Sequence, residues 1–180
     1  MYLVNYTSVL NIIIKNKLTI IMNSQKLSDN LYLLTSENWS YELSTSIKDE
    51  KELVIHIKNV DPCSVPSTEF EVSLTHENLI SLSNYFKMCD DIAEAQVHFG
   101  AMLRFNRFDI NELDNILYFK LKMTCAIPEK ITFTLNKIEK AEDQIISELG
   151  ISLRNLIKDI KHLETTTEIF NKKYVIVTES

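Results

Sequence analysis

Glycine and proline are scarce in this chain of 180 residues, which contains 2 glycines and 3 prolines. The sequence has no glycine-rich phosphate loop, no GxSxG nucleophile elbow and no HExxH zinc motif. So few glycines and prolines also argue against an active site built from many loops and against disordered linkers. No local motif predicts a reaction, so an enzyme would have to assemble its site from residues far apart in the sequence.

Cysteine, histidine and basic charge are limited as well. The three cysteines are Cys63, Cys89 and Cys125, and their spacing matches neither a zinc site nor a disulfide framework. We expect their thiols to be reduced and to pack as small apolar side chains. None of the 4 histidines has a second ligand three or four residues further on, so no metal or other cofactor is predicted. A catalytic Cys–His pair formed by residues that are distant in the sequence remains an alternative. The net charge of −6 lacks the basic excess of a nucleic-acid-binding surface.

Long hydrophobic runs are missing too. In residues 1–22, lysines interrupt the apolar segments Leu10–Ile14 and Leu18–Met22, so no stretch approaches the roughly 18 residues of a transmembrane helix. The segment also lacks the basic start and the cleavage site of a signal peptide. We interpret residues 1–22 as a poorly ordered extension. Alternatively, translation truly starts at Met22. A peripheral membrane anchor and an added core element remain open.

Apolar and polar residues alternate over several short segments, which is the pattern of half-buried strands. These segments are Trp39–Leu43, Leu53–Ile57, Glu69–Leu74, Ile116–Met123 and Ile131–Leu135, and a short apolar segment, Leu31–Leu34, precedes the first of them. Phe108–Ile110 adds a short strand before a turn at Asp114 and Asn115. We therefore expect about five or six strands, paired largely as hairpins.

Two segments with helical periodicity lie between the early and the late strands. Their apolar positions are Leu79, Leu82 and Phe86 in the first, and Ile92, Ala95, Phe99 and Met102 in the second. Thr75 can cap the first helix, and Asp91 with Glu94 forms a capping box for the second. We expect a helical hairpin whose apolar stripes face each other, with Gly100 either allowing close approach of the first helix or weakening its turn. The predicted fold class is α+β: we expect residues 23–136 to form a small antiparallel β-sandwich or barrel head with this hairpin inserted.

The apolar period changes from two to seven after the last strand. Six residues occupy the a and d positions of nearly three heptads: Ile146, Leu149, Leu153, Leu156, Ile160 and Leu163. Ile145 and Ile157 flank them at g and e, where a two-stranded coil usually carries charge. The threonine run 165–167 breaks this register. We expect a coiled-coil-like helix over residues 137–165 and a tail over 166–180, in which 172–177 could add a strand.

The order of these elements resembles a superfamily of head-plus-stalk proteins. The resemblance spans Phe70 to Leu163 and rests on the strand Phe70–Leu74, the hairpin from Leu79 to Leu103, the strand Ile131–Leu135 and the heptads from Ile146. The superfamily includes the centriole cartwheel protein and the end-joining scaffolds that partner DNA ligase IV. Its members are non-enzymatic, dimerise through parallel coiled coils and associate through their heads. The resemblance implies a scaffold or assembly role here, of a cytoskeletal kind.

The predicted function is that of a cytoplasmic, non-catalytic structural or interaction protein. It would form a homodimer or dock a protein partner through the six a and d residues, without a catalytic residue, metal, cofactor, direct nucleic-acid contact or transmembrane segment. Packing of the same helix on its own head is the structural alternative. The functional alternatives are a peptide- or ligand-binding α+β module and, less favoured, an uncharacterised enzyme.

Overall fold

The computed structural model describes residues 23–36, 39–61, 64–105, 107–123 and 129–178. Five strands come first, followed by a helical segment, three more strands and a long final helix. In order they are β1 (Asn23–Ser28), β2 (Leu31–Thr35), β3 (Ser40–Lys48), β4 (Glu52–Asn59), β5 (Glu69–Thr75), α1 (His76–Leu82), a 3-10 helix (Asn84–Met88), α2 (Ile92–Phe105), β6 (Arg107–Leu113), β7 (Ile116–Met123), β8 (Glu129–Lys137) and α3 (Glu142–Thr178). The segment interpreted as an extension, 1–22, lies outside the described residues.

The strands form one antiparallel sheet of eight strands in the order β1-β2-β3-β4-β5-β8-β7-β6. The pairing between β5 and β8 is short, joining Phe70 to Lys137 and Glu71 to Asn136. The sheet is curled. Four strands separate β3 from β6, yet the ring centroid of Trp39, just before β3, lies only 6.4 Å from that of Phe108 on β6. The α+β class is therefore confirmed, and the expected sandwich or barrel is a single curled sheet, a half-barrel.

Alternation along the strands places the predicted apolar sets in the core. The buried members are Leu53, Ile55 and Ile57 on β4, Leu117, Phe119, Leu121 and Met123 on β7, and Ile131, Phe133 and Leu135 on β8. The sequence did not predict β1, and it predicted β6 too short. The reason is that β1 (NSQKLS) is mostly polar and exposed, without an apolar face, so its pairing with β2 is what marks it as a strand.

The helical insertion lies between β5 and β6, as predicted, and begins at the predicted caps. The Thr75 hydroxyl accepts a hydrogen bond from the Asn78 backbone N–H (3.2 Å), and the Asp91 carboxylate accepts one from Glu94 (2.8 Å). The first helix is shorter than expected, because the extended backbone of Ser83 ends α1 after Leu82 and caps the 3-10 helix instead. Leu82 is consequently exposed and not part of a buried stripe.

α2 packs mainly against the sheet, through β1, β3, β4 and β7. Its predicted apolar face is buried, and Phe99 makes edge-to-face contacts with Phe133 (5.3 Å between ring centroids) and Phe119 (6.4 Å). Aromatic pairs of this geometry contribute about 0.5–1.5 kcal/mol beyond the area they bury. The expectation that the two helical stripes face each other is therefore corrected: the buried stripe of α2 faces the sheet.

α3 is longer than predicted and begins later, at Glu142, and runs through 37 residues to Thr178. The threonine run does not end it: within the helix, the hydroxyls of Thr165, Thr166 and Thr167 donate to the carbonyls of Lys161, His162 and Leu163 at 2.8–2.9 Å. Residues 172–177 belong to the helix and add no strand. At 1.5 Å per residue the helix is about 55 Å long.

Gly100 on α2 allows a strand, and not the first helix, to approach closely. A Cβ atom built on Gly100 would collide with the hydroxyl oxygen of Tyr32 on β2, while the ring carbon that carries the hydroxyl would lie at an ordinary 3.5 Å. Tyr32 is 3% exposed, so its ring has little room to move.

We predict that Gly100→Ala destabilises the protein by about 1–3 kcal/mol, the range for overpacking a core, although alanine normally favours a helix over glycine by about 1 kcal/mol. Because the collision involves the tyrosine hydroxyl, Tyr32→Phe in the same chain should recover most of the loss. Urea denaturation of the two single variants and the double variant measures this coupling. Additive effects in the double variant would contradict it.

Candidate interaction surface

α3 is anchored to the head by a set of polar side chains that we call the junction network: Ser67, Glu69, Lys140 and Glu148. The Lys140 ammonium group donates to Glu148 (2.5 Å), to the Ser67 hydroxyl (2.8 Å) and to Glu69 (2.9 Å). The Ser67 backbone N–H and hydroxyl donate to the second Glu148 oxygen, at 3.1 and 3.2 Å. All three donors of the lysine therefore have acceptors, one each from β5, the loop before it and α3.

The charges of the junction network stabilise one another. Burial alone would raise the pKa of Glu69, but hydrogen bonds from Lys140 and His56 and the nearby charges of Lys140 and Lys58 hold it below the ordinary 4.5. The hydrogen bond from Lys140 is also the main reason that the pKa of Glu148 is lowered. Burial acts to lower the pKa of Lys140, yet its bonds to Glu148 and Glu69 raise it overall. Both carboxylates and the ammonium group are thus held in their charged forms.

Beyond the junction, the six predicted a and d residues of α3, which we call the heptad seam, all lie exposed. Their exposed fractions are 68% for Ile146, 45% for Leu149, 59% for Leu153, 56% for Leu156, 55% for Ile160 and 64% for Leu163. The alternative that this row packs on its own head is therefore wrong for the described structure. The side chains share one face of the helix because residues spaced by three and four lie on the same face.

The seven-residue register continues past the threonine run. Because α3 is continuous to Thr178, counting onward places Thr167 at a, Phe170 at d, Tyr174 at a and Val177 at d. The apolar positions thus cover nearly five heptads, with one polar interruption at Thr167. The sequence pattern predicts a helix only to residue 165, because the apolar register is interrupted at the threonine run.

A groove lies where α3 leaves the head, and we call it the junction groove. It has a volume of about 560 Å³ and is open to solvent. One wall comes from β4 and the loop to β5 and contains Lys58, Asn59, Val60, Asp61, Ser64, Val65 and Ser67; the other comes from α3 and contains Glu148, Ile151, Ser152, Asn155, Leu156 and Asp159. Leu156 belongs to both the groove and the heptad seam.

The remaining candidates for chemistry do not form a site among the described residues. Burial, with the nearby negative charges of Glu94, Asp90 and Asp91, raises the pKa of the Cys89 thiol, which disfavours the reactive thiolate. Cys63 and Cys125 lie outside the described residues. No group of three or more His, Cys, Asp or Glu side chains is placed to hold a metal within the described ranges. Over the same ranges, no helix combines the length and the apolar content that a membrane crossing requires.

Comparison with solved structures finds similarity to a coiled-coil protein fragment. No protein-family profile matches the chain, and no curated protein matches it significantly. A solved N-terminal fragment of Leishmania SAS-6 that contains part of its coiled-coil domain superposes with a TM-score of 0.37 and 12% sequence identity, covering 89% of this chain and 93% of the fragment. Similarity of this degree decides neither the fold nor the function, which rest on the chain's own residues.

The junction network makes the attachment of α3 sensitive to acid. A carboxyl group whose pKa is lowered by folding stabilises the fold above its ordinary pKa, and this stabilisation disappears as the pH falls through the lowered value. For Glu148 and Glu69, the contribution should be complete above about pH 4.5 and decline below it.

We predict that Glu148→Gln lowers the free energy of unfolding at neutral pH, and that its difference from the wild type shrinks as the pH drops below about 4.5. Glu168→Gln, which removes the same charge from an exposed position of α3 outside the network, is the matched control. Urea denaturation between pH 3 and 7 measures both. A difference that does not change with pH, or an equal effect of Glu168→Gln, would argue against the network.

Proposed function

We propose that this chain is a non-catalytic structural protein that pairs with a second copy of itself through the heptad seam of α3. The two helices form a parallel, two-stranded coiled coil, and both heads lie at its amino-terminal end. The chain thereby acts as a scaffold element, in which the coil sets the spacing and the heads remain available for further contacts.

The exposure of the heptad seam carries this proposal. The buried core, as far as the structure describes it, ends with Leu135 and takes no side chain from α3. The head therefore does not need the seam, whose members are 45–68% exposed along one face of a long helix. A continuous apolar stripe of this kind marks a surface for protein–protein contact. The opposite face carries Arg154, Lys158 and Lys161, as the solvent side of a coiled coil does.

The residues at a and d favour two parallel helices. Isoleucine at a with leucine at d is the combination of parallel dimers; within the heptad seam, Ile146 and Ile160 occupy two of the three a positions and all three d positions are leucine. One flanking pair opposes this arrangement, since Asp159 at g meets Glu164 at e of the other copy. An exposed pair of charges contributes only about 0.2–1 kcal/mol, whereas burying one leucine or isoleucine contributes about 1.5–3 kcal/mol. The apolar seam outweighs the repulsion.

We predict that Leu153→Asp combined with Ile160→Asp converts the dimer to a monomer, because both substitutions place carboxylates at a positions. The head should remain folded, since neither side chain contributes to its core. Sedimentation equilibrium measures the mass, and circular dichroism with the fluorescence of Trp39 reports on the fold.

Lys158→Asp combined with Lys161→Asp is the matched control, because it adds acidic groups at f and b of the same turns. The control variant should remain dimeric. A seam variant that stays dimeric, or a control that dissociates to the same extent, would contradict pairing through this face.

A further inference from the structure

The head occupies one particular flank of α3. At about 100° per residue, the heptad positions run around the helix in the order a, e, b, f, c, g, d. The residues of α3 that line the junction groove, Glu148, Ile151, Ser152, Asn155, Leu156 and Asp159, hold positions c, f, g, c, d and g. As far as the structure describes the head, it therefore lies beside the g flank of its own helix, next to the seam, and no e residue lines the groove.

A parallel coil brings a second chain to that same flank. In such a coil the g residues of one helix face the e residues of the other, five positions further along. Ser152 at g then faces Ile157 at e of the second copy. Because Ser152 lines the junction groove, the second copy's Ile157 arrives at the open side of the groove.

Two exposed apolar side chains fit this arrangement. Ile157 is 44% exposed and does not line the groove of its own chain, and it occupies a position that usually carries charge in a two-stranded coil. Val65, on the loop wall of the groove, is 38% exposed. Each gains an apolar partner from the other chain when the second helix lies at the mouth of the groove.

We propose that the junction groove is the seat for Ile157 of a second copy, so that each head contacts both helices of the dimer. This inference rests on the proposed coiled coil and adds a contact between the head and the second helix to it. The groove is continuous with the seam through Leu156, so the second helix that covers the seam also closes the groove. The heads are then fixed to the coil at two places, the junction network of their own chain and the groove contact of the other.

Thiol cross-linking between chains tests the contact directly. Two differently tagged variants, Val65→Cys and Ile157→Cys, are coexpressed in full-length chains whose native cysteines are replaced by alanine, and a short bismaleimide is added. We expect a cross-linked product that carries both tags. Leu149→Cys, at a d position near the start of the coil, is the positive control, because parallel helices bring its two copies together.

The outcomes separate the two proposals. If Leu149→Cys cross-links and the mixed pair does not, the coil stands and the groove contact is overturned. If Leu149→Cys fails as well, the parallel coil is overturned, and the groove contact with it.

A second measurement asks whether the contact contributes to affinity. We expect Ile157→Lys to raise the dimer dissociation constant about tenfold, through the loss of an apolar contact. Ile169→Lys, the same exchange at an exposed position of α3 outside the seam and the groove, should change it less than about twofold. Equal effects of the two substitutions would contradict the contact.

Discussion

The attachment of α3 to the head through Lys140 is the interaction on which the rest of the molecule's arrangement depends. Its ammonium group joins β5, the loop before β5 and α3 through three charged or polar acceptors. Lys140 is only 11% exposed, and a charge so shielded from water is tolerated because its hydrogen bonds are complete. The network fixes the rotation of the helix as well as its position. Rotation matters because it decides which face of α3 the head covers.

The head covers the c and g side of α3 and leaves the apolar seam exposed. A rotation that turned the a and d side of the helix toward the junction groove would have covered the leucines with the head. The structure therefore presents the seam on a helix whose first turns are already held in place. Pre-organisation of this kind lowers the ordering cost of association. It also places the junction groove beside the seam, so that a single second helix can contact both.

Local patterns predicted those parts of the fold that depend on local physics. Alternation located the buried faces of β4, β7 and β8, and the caps at Thr75 and Asp91 located the helix starts. The strand β1 was missed because its mostly polar residues have no apolar face. The end of α3 was misplaced because the apolar register is interrupted at the threonine run, although the threonines stay helical with their hydroxyls bonded to carbonyls one turn earlier.

Of the candidate site too, only the part defined by local spacing could be predicted. The heptad seam follows from spacing alone, since every one of its six residues is defined by a neighbour three or four positions away. The junction network could not be predicted, because Ser67 and Glu148 are 81 positions apart and meet only through the fold. The groove has no sequence signal for the same reason. The apolar Ile157 at an e position, where a charged residue is usual, is visible in the sequence. The proposed contact with the head of the second copy gives this choice of residue a physical reason.

The mass of the wild-type chain in solution tests the central claim most directly. Light scattering on full-length protein at high micromolar concentration should give twice the chain mass of 20.9 kDa, and the mass should fall toward that of one chain on dilution. A mass of one chain at every concentration would show that the exposed leucines and isoleucines of α3 do not pair with a second copy.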